Sequence, residues 1–215
     1  MDYFFNKDAV CIVTNMITEI QSAKEYLSQV DGAIGDGDHG INMNKGFTIC
    51  EQRLQGKVFD MSGALNLLSE VLMMEIGGSM GPLYGTLFEG LAAASERVEK
   101  IDKKVFGDML TLAYKNISAV SDAKVGDKTL MDVLIPATEA YKKELVAGKG
   151  FRDCINAMTQ AAEAGKESTK DMIAKVGRSS RLGERSKGVL DAGATSCNII
   201  MQSIGHTIKD LLNVN

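Results

Sequence analysis

Residues 9–30, AVCIVTNMITEIQSAKEYLSQV, carry the pattern on which the fold is built. Their apolar residues recur with the i, i+3, i+4, i+7 spacing of one helical face, while Glu19, Lys24 and Glu25 lie on the opposite face. The apolar set is Ile12, Val13, Met16, Ile17, Ile20, Ala23, Leu27 and Val30. This stretch is therefore predicted to be an amphipathic helix that buries one side.

The same pattern returns along the rest of the chain. It runs through residues 41–55, 61–76, 83–98, 105–120, 130–146, 151–168 and 192–212. No alternating strand pattern competes with it, and the breaks are short, as between antiparallel neighbours. We therefore predict an all-α fold, an antiparallel barrel or bundle of about eight helices. Residues 1–215 are expected to form a single domain, because no repeat or linker divides them.

Composition and charge exclude several classes of protein. The chain has 215 residues, 45% of them hydrophobic and 24% charged, as expected of a globular protein. A net charge of -4 argues against binding to duplex nucleic acid, which needs a basic surface. The charged N-terminus and the lack of a long apolar run argue against a signal peptide or membrane span. Four scattered cysteines suggest reduced thiols. We expect a cytoplasmic protein.

Many of the 22 glycines fall in three loops, at residues 32–40, 77–85 and 177–193. A helix needs only one or two glycines at its end, so richer loops indicate close approach of the main chain to a ligand. Because these loops stand at alternating connections, they are expected to meet at one end of the barrel.

The first loop, DGAIGDGDHG at residues 31–40, concentrates Asp31, Asp36 and Asp38. Clustered carboxylates repel one another unless a cation is present, and oxygen ligands suit Mg²⁺ or Ca²⁺. The alternative is structural: Asp38 caps the next helix and the other two lie in a turn. An EF-hand is excluded, because its fifth and twelfth positions would be Gly40 and Phe47.

Three other interpretations of this loop are weaker. The letters of residues 35–40 match GxGxxG, but a helix and not a strand precedes them. An aspartyl phosphotransferase using Asp36 and Asp38 would also need a preceding apolar strand, and no GxxxxGK[ST] occurs. His39 could bind a phosphate oxygen, transfer a proton or simply pack under the loop. His206, in the last apolar helix, is expected to be a core residue.

The remaining polar loops suit phosphate. Residues 77–86, GGSMGPLYGT, expose N–H groups at a helix start, although small residues also permit tight helix contacts. The third loop clusters Arg178, Arg181, Arg185 and Lys187, which could bind phosphate or only form a solvated surface. Residues 126–132, GDKTLMD, open a helix, where Asp127 or Thr129 could be only a cap.

Four motifs together, IGDGDHGINMNKGF, GGSMGPLYGT, GDKTLMDVLIPA and GRSSRLGERSKGVLDAGATS, resemble the nucleotide-binding L subunits of bacterial dihydroxyacetone kinases. The resemblance covers nearly the whole chain and implies a barrel of about eight helices with nucleotide at one end. It implies that Asp31, Asp36 and Asp38 hold two Mg²⁺ ions, that ADP or ATP is tightly bound, and that no residue is a covalent nucleophile. The implied nucleotide contacts are His39, Gly40, Ile41, Asn42, Ser79, Met80, Gly126, Thr129, Leu130, Met131, Arg178, Asp191, Ala192 and Gly193.

The chain departs from the family at Val189 and Ala192, where His and Pro are common. The length leads us to expect a stand-alone subunit rather than the fused ATP-dependent enzyme. The resemblance then implies the phosphotransferase-system type, in which a phosphohistidine M subunit recharges bound ADP to ATP and a K subunit holds dihydroxyacetone. Two alternatives remain: an ADP-sensing regulator that docks on a transcription factor, and a kinase subunit for another small ketose or tetrose. No nucleic acid or membrane partner is expected.

Overall fold

Nine α-helices follow one another around the barrel in the computed structural model, which describes residues 2–214. Each helix packs against the next, and the last closes the ring on the first. The all-α prediction is therefore confirmed. The helices are α1 Cys11–Ser22, α2 Lys24–Gly32, α3 His39–Leu54, α4 Met61–Glu75, α5 Met80–Ser95, α6 Lys103–Val120, α7 Met131–Val146, α8 Phe151–Ser168 and α9 Ala192–Val214.

The first predicted helix is divided into two, which accounts for nine helices instead of about eight. The break lies at Ala23, whose φ of -87° and ψ of 0° leave the helical region. The apolar face continues across it, since both Ile20 and Leu27 are fully buried. The periodic pattern therefore predicted correctly which face of this stretch is buried, but it did not predict the bend.

A small antiparallel sheet was not predicted. Strand β1, Tyr3–Phe5, pairs with β2, Lys100–Asp102, so that Phe4 lies opposite Ile101. Both of these side chains are fully buried. Strands of three residues are too short to show an alternating pattern in the sequence.

One apolar cluster, rich in aliphatic and Met side chains, fills the barrel. His206, which was expected in this core, is exposed on α9, so that expectation was wrong. None of the helices in the described part of the chain is long and apolar enough to span a membrane.

The helix order positions the site. The starts of α3, α5, α7 and α9 meet at one end of the barrel, since residues at or next to all four line one cavity there. Each of these four helices follows one of the polar loops singled out in the sequence. The exposed N–H groups of their first turns make this end attractive to anions.

Close helix contact at Gly90 gives a test of the packing. A Cβ atom there would lie 2.5 Å from the Cα of Ala113, a main-chain atom that cannot rotate away. We expect Gly90→Ala to lower the free energy of unfolding by about 1–3 kcal/mol, because the two helices must separate. For a chain of this size the melting midpoint should fall by about 3–10 °C.

Gly150→Ala is the matched control. Gly150 has a φ of -67°, and a Cβ there would meet its nearest atom at 3.5 Å, an ordinary contact. Thermal unfolding followed by circular dichroism should separate the two variants. Equal midpoints would contradict the packing assigned to Gly90.

Candidate functional site

A cavity of about 240 Å³ opens at the barrel end where α3, α5, α7 and α9 begin. Its wall comes from four separate segments, within residues 31–42, 77–84, 128–130 and 176–193. All three glycine-rich loops and the segment before α7 therefore meet in one place, as the sequence predicted.

Asp31, Asp36 and Asp38 form a cluster on one side of this cavity. One carboxylate oxygen from each lies within 4.8 Å of the others. Asp38 stands immediately before α3, yet its side chain makes no capping hydrogen bond within the described residues. The structural alternative for Asp38 therefore does not account for its carboxylate. Three oxygen donors at this spacing fit a hard cation such as Mg²⁺.

Arg178 crosses the cavity to this cluster and forms an ion pair with Asp36. More than half of its side chain remains exposed, so the contact is a surface pair and contributes little to stability by itself. The preceding Gly177 has a φ of +74°, which lets the chain turn sharply into the 3-10 segment Arg178–Ser186. Arg178 therefore stands where it can also meet a bound anion.

His39 is buried beneath the cluster. Its main-chain N–H donates to Oδ2 of Asp31 over 3.3 Å, and its Nε2 lies 2.8 Å from Oγ of Ser196. Burial lowers the pKa of His39 to about 4, and the charge of Asp31 only partly opposes this shift. The imidazole is therefore neutral at pH 7.

Tyr84 continues this buried network. Its hydroxyl lies 2.6 Å from Oγ of Ser196 and donates to the carbonyl of Gly193 over 2.9 Å. The start of α3, helix α5 and the start of α9 are thereby joined under the cavity floor. Neither Tyr84 nor Ser196 was predicted, although both lie inside quoted motifs.

The loop before α7 is organised by a buried carboxylate. Oδ1 of Asp132 accepts a hydrogen bond from the N–H of Gly126 at 2.5 Å, and its Oδ2 accepts from that of Thr129 at 2.7 Å. Thr129 and Leu130 line the cavity, whereas Met131 is buried in the core. Gly126 serves the shape of the loop and does not reach the cavity wall.

Asp191 caps α9, because its Oδ2 accepts from the N–H of Ala194 at 2.7 Å. Burial raises the pKa of Asp191 to about 7. The hydrogen bond from Ala194 and the charge of Lys128 oppose the shift, while the charges of Asp132 and Asp31 add to it. The carboxyl group is therefore poised to change its charge near neutral pH.

The cavity wall includes most of the predicted contacts. The predicted residues on it are Asp31, Asp36, Asp38, His39, Asn42, Ser79, Met80, Thr129, Leu130, Arg178, Asp191, Ala192 and Gly193. The predicted residues Gly40, Ile41, Gly126 and Met131 do not line it. Gly40 instead lets α3 approach α2, since a Cβ there would lie 2.0 Å from the carbonyl of Lys24.

The sequence reasoning missed several wall residues. Ile34, Leu83 and Val176 add apolar surface, and Lys128 adds a buried cation. The three apolar residues could not be recognised from the sequence, because the chain has many other aliphatic residues like them.

Fold and cavity together define a class, that of helical barrels with an acidic, glycine-walled cavity at one end. The chain belongs to the DAK2 domain family, which matches residues 33–206. It is 34% identical over 187 residues to the ADP-binding subunit DhaL of the PEP-dependent dihydroxyacetone kinase of Escherichia coli, covering 86% of this chain and 89% of that protein. A second DhaL subunit, from Listeria innocua, is 32% identical over 92% of this chain and 93% of its own. These relatives are named as kinase subunits.

Other relatives are longer. The D-erythrulose kinase of Mycolicibacterium smegmatis is 29% identical over 90% of this chain, which spans 34% of that enzyme. Among solved structures, the dihydroxyacetone kinase of C. freundii in complex with AMP-PNP and Mg²⁺ matches with a TM-score of 0.68 and 21% identity. The match covers 94% of this chain and 34% of that one, and supports the same fold.

The raised pKa of Asp191 predicts how stability depends on pH. Between its unfolded pKa near 4 and its folded pKa near 7, the folded state holds a proton that the unfolded state has lost. The contribution of Asp191 to stability therefore falls as pH rises through this range. An Asn side chain can keep the bond to the N–H of Ala194 without a charge. We expect metal-free Asp191→Asn protein to gain stability over wild type from pH 4.5 to pH 7.5.

Urea unfolding in EDTA at pH 4.5, 6.0 and 7.5 measures this difference. Asp108→Asn, which alters an exposed carboxyl group on α6, controls for the loss of one charge. A difference between Asp191→Asn and wild type that does not change with pH would refute the prediction.

Proposed function

We propose that this chain is the nucleotide-binding subunit of a PEP-dependent dihydroxyacetone kinase. In this proposal residues 1–215 form one domain that holds Mg²⁺ and ADP or ATP. A phosphohistidine M subunit supplies the phosphoryl group, and a K subunit holds dihydroxyacetone. The observation that carries the proposal is the three-carboxylate cluster facing Arg178 across one cavity. The names of the DhaL relatives support the same assignment.

On the metal side, Asp31, Asp36 and Asp38 would hold the ions. Bound Mg²⁺ supplies positive charge that offsets the phosphate charge and leaves the terminal phosphorus open to attack. Two ions suit the site better than one, because three carboxylates and a diphosphate together carry more negative charge than one ion neutralises. In this proposal the three aspartates need only hold the ions and the phosphates in position, so the reaction requires no covalent nucleophile from the chain.

On the phosphate side, the protein offers main-chain donors and one guanidinium. The first turns of α3 and α5 direct N–H groups toward the cavity, and Asn42, Ser79 and Met80 line it there. Arg178 can exchange its contact with Asp36 for a phosphate oxygen once a metal ion occupies the cluster. The neutral ring of His39 would support the loop from below.

A second candidate differs only in the acceptor. Relatives named as erythrulose kinases share the family, so the same nucleotide site could serve a four-carbon ketose. A coupled assay with the M and K subunits of the same organism, run in parallel with dihydroxyacetone and erythrulose, separates the two. Turnover of neither ketose, with ADP still bound, would favour the regulatory alternative.

The aspartates should act as a unit. Asp36→Asn and Asp38→Asn are each expected to abolish Mg²⁺-dependent ADP binding and to lower phosphoryl transfer at least several hundred-fold, while the helical content stays unchanged. In wild type, Mg²⁺ and ADP at about a thousand times the dissociation constant should raise the melting midpoint by on the order of 10 °C. Calorimetric titration, the coupled assay and thermal unfolding measure these effects.

Asp108→Asn is again the control, and should behave as wild type. If Asp36→Asn retains more than a tenth of wild-type activity, the assignment of the three aspartates as metal ligands is wrong. Wild-type protein that binds no ADP in Mg²⁺ would remove the proposed function itself.

Arg178 should matter more than its neighbours in the same loop. Its side chain lines the cavity, whereas Arg181 and Arg185 are exposed and do not. We expect Arg178→Ala to weaken ADP binding by about 10- to 150-fold, the equivalent of about 1.5–3 kcal/mol for a charge-assisted bond. Arg181→Ala and Arg185→Ala are matched controls within one loop. Equal losses at all three positions would contradict the role of Arg178.

A further inference from the structure

Lys128 has an unusual conformation and environment. Its φ is 62°, in the left-handed region that a residue with a side chain occupies only at a cost of about 1–3 kcal/mol. Only 1% of the residue is exposed, although lysine is seldom buried. Both features are unfavourable by themselves, so the surrounding structure must offset them.

A cage of main-chain carbonyl groups surrounds its ammonium group. Nζ donates to the carbonyl oxygens of Val189 at 2.6 Å, Thr169 at 2.7 Å and Ser186 at 2.7 Å, and that of Met172 lies at 3.3 Å. An ammonium group has three N–H bonds, so the three short contacts use all of them. The cage replaces the hydration shell of the cation.

These carbonyls do not line the cavity but lie on both sides of the stretch 176–179, which does. Thr169 and Met172 lie just after α8, Ser186 is the last residue of the 3-10 segment, and Val189 lies between that segment and α9. The wall is tied together further, because the N–H of Gly188 donates to the carbonyl of Lys170 over 2.7 Å. The ammonium group therefore anchors the chain on both sides of the stretch that carries Arg178.

The anchor also reaches the start of α9. Val189 is two residues before Asp191, whose side chain caps α9 and lines the cavity. On the other side, Thr129 and Leu130 follow Lys128 directly in the chain, and both line the cavity. Lys128 thus fixes the distance between the loop before α7 and the opposite wall.

We propose that Lys128 is a positioning residue that assembles this wall of the nucleotide cavity through its carbonyl cage. The inference rests on the proposed function, because it assigns the wall to nucleotide binding. The proposal separates the two sides of the site. The carboxylate cluster lies at the end of α2 and in the loop before α3. Within the described residues, no hydrogen bond joins these carboxylates to the ammonium group of Lys128. Removal of the ammonium group should therefore impair nucleotide binding and leave metal binding intact.

Two variants test this. Lys128→Met keeps an unbranched side chain that is one heavy atom shorter and removes the N–H donors. Lys128→Gly relieves the strain of the positive φ and leaves a space with the shape of n-butylammonium. We expect both to bind Mg²⁺–ADP at least tenfold more weakly than wild type in calorimetric titration. Mn²⁺ binding at the aspartates, followed by electron paramagnetic resonance, should stay within twofold of wild type.

Chemical rescue distinguishes positioning from a general loss of structure. n-Butylammonium at tens of millimolar should restore ADP affinity to Lys128→Gly, because it returns three N–H donors to the cage. Tetramethylammonium, which has no N–H, and n-butanol, which has no charge, should not. Lys175→Met is the matched control, since that lysine is exposed on the same wall and its side chain pairs with Asp127.

Each outcome of these measurements either supports or overturns the positioning role of Lys128. Selective loss of ADP binding with rescue by n-butylammonium supports the proposal. Wild-type ADP affinity in both variants overturns it, as does equal rescue by tetramethylammonium or no rescue in folded Lys128→Gly. It is also overturned if neither variant folds even with n-butylammonium, because the barrel would then depend on Lys128. If wild-type protein itself does not bind ADP, the proposed function is rejected instead. The calorimetric titration of wild type shows this independently of the Lys128 variants.

Discussion

Repulsion among three carboxylates is the constraint around which this end of the barrel is organised. At the separation observed, each pair of unit charges repels by about 1 kcal/mol in water and by about 3–4 kcal/mol at an effective dielectric constant of 20. The surrounding features all oppose this repulsion. The N–H of His39 donates to Asp31, the first turn of α3 contributes partial positive charge, and Arg178 pairs with Asp36. A bound cation would complete the same compensation.

The helical fold could be predicted from the sequence because burial on one helical face is a local and repeated signal. Helices α6, α7 and α8 begin and end within two residues of the predicted limits. The bend at Ala23 could not be predicted, since the apolar spacing continues across it. The exposure of His206 was missed for a related reason: a residue that lies among apolar neighbours in the sequence can still lie on the exposed face of α9.

The candidate site likewise has a part that could be predicted from the sequence and a part that could not. The carboxylate cluster could be predicted because its members lie within eight residues, and the fold was not needed to bring them together. The pair Tyr84 and Ser196 is separated by 112 positions, and Lys128 reaches carbonyls up to 61 positions away. Main-chain carbonyls leave no trace in a sequence, because every residue has one. A lysine that binds them therefore looks like any other.

This last point bears on Val189 and Ala192, where the resemblance leads us to expect His and Pro. Lys128 binds the main-chain oxygen of Val189 and not its side chain, so a change from His to Val at that position leaves the anchor in place. Ala192 stands at the first position of α9, where Pro is favoured by its fixed φ and where Ala is also compatible with a helix. The cap of α9 comes from Asp191, which is retained. At Val189 and Ala192 this wall of the cavity is thus held through main-chain atoms, and these two positions accept different side chains. Asp191 and Arg178 act through their side chains, as do the three carboxylates on the other side, so changes at those positions should be tolerated less.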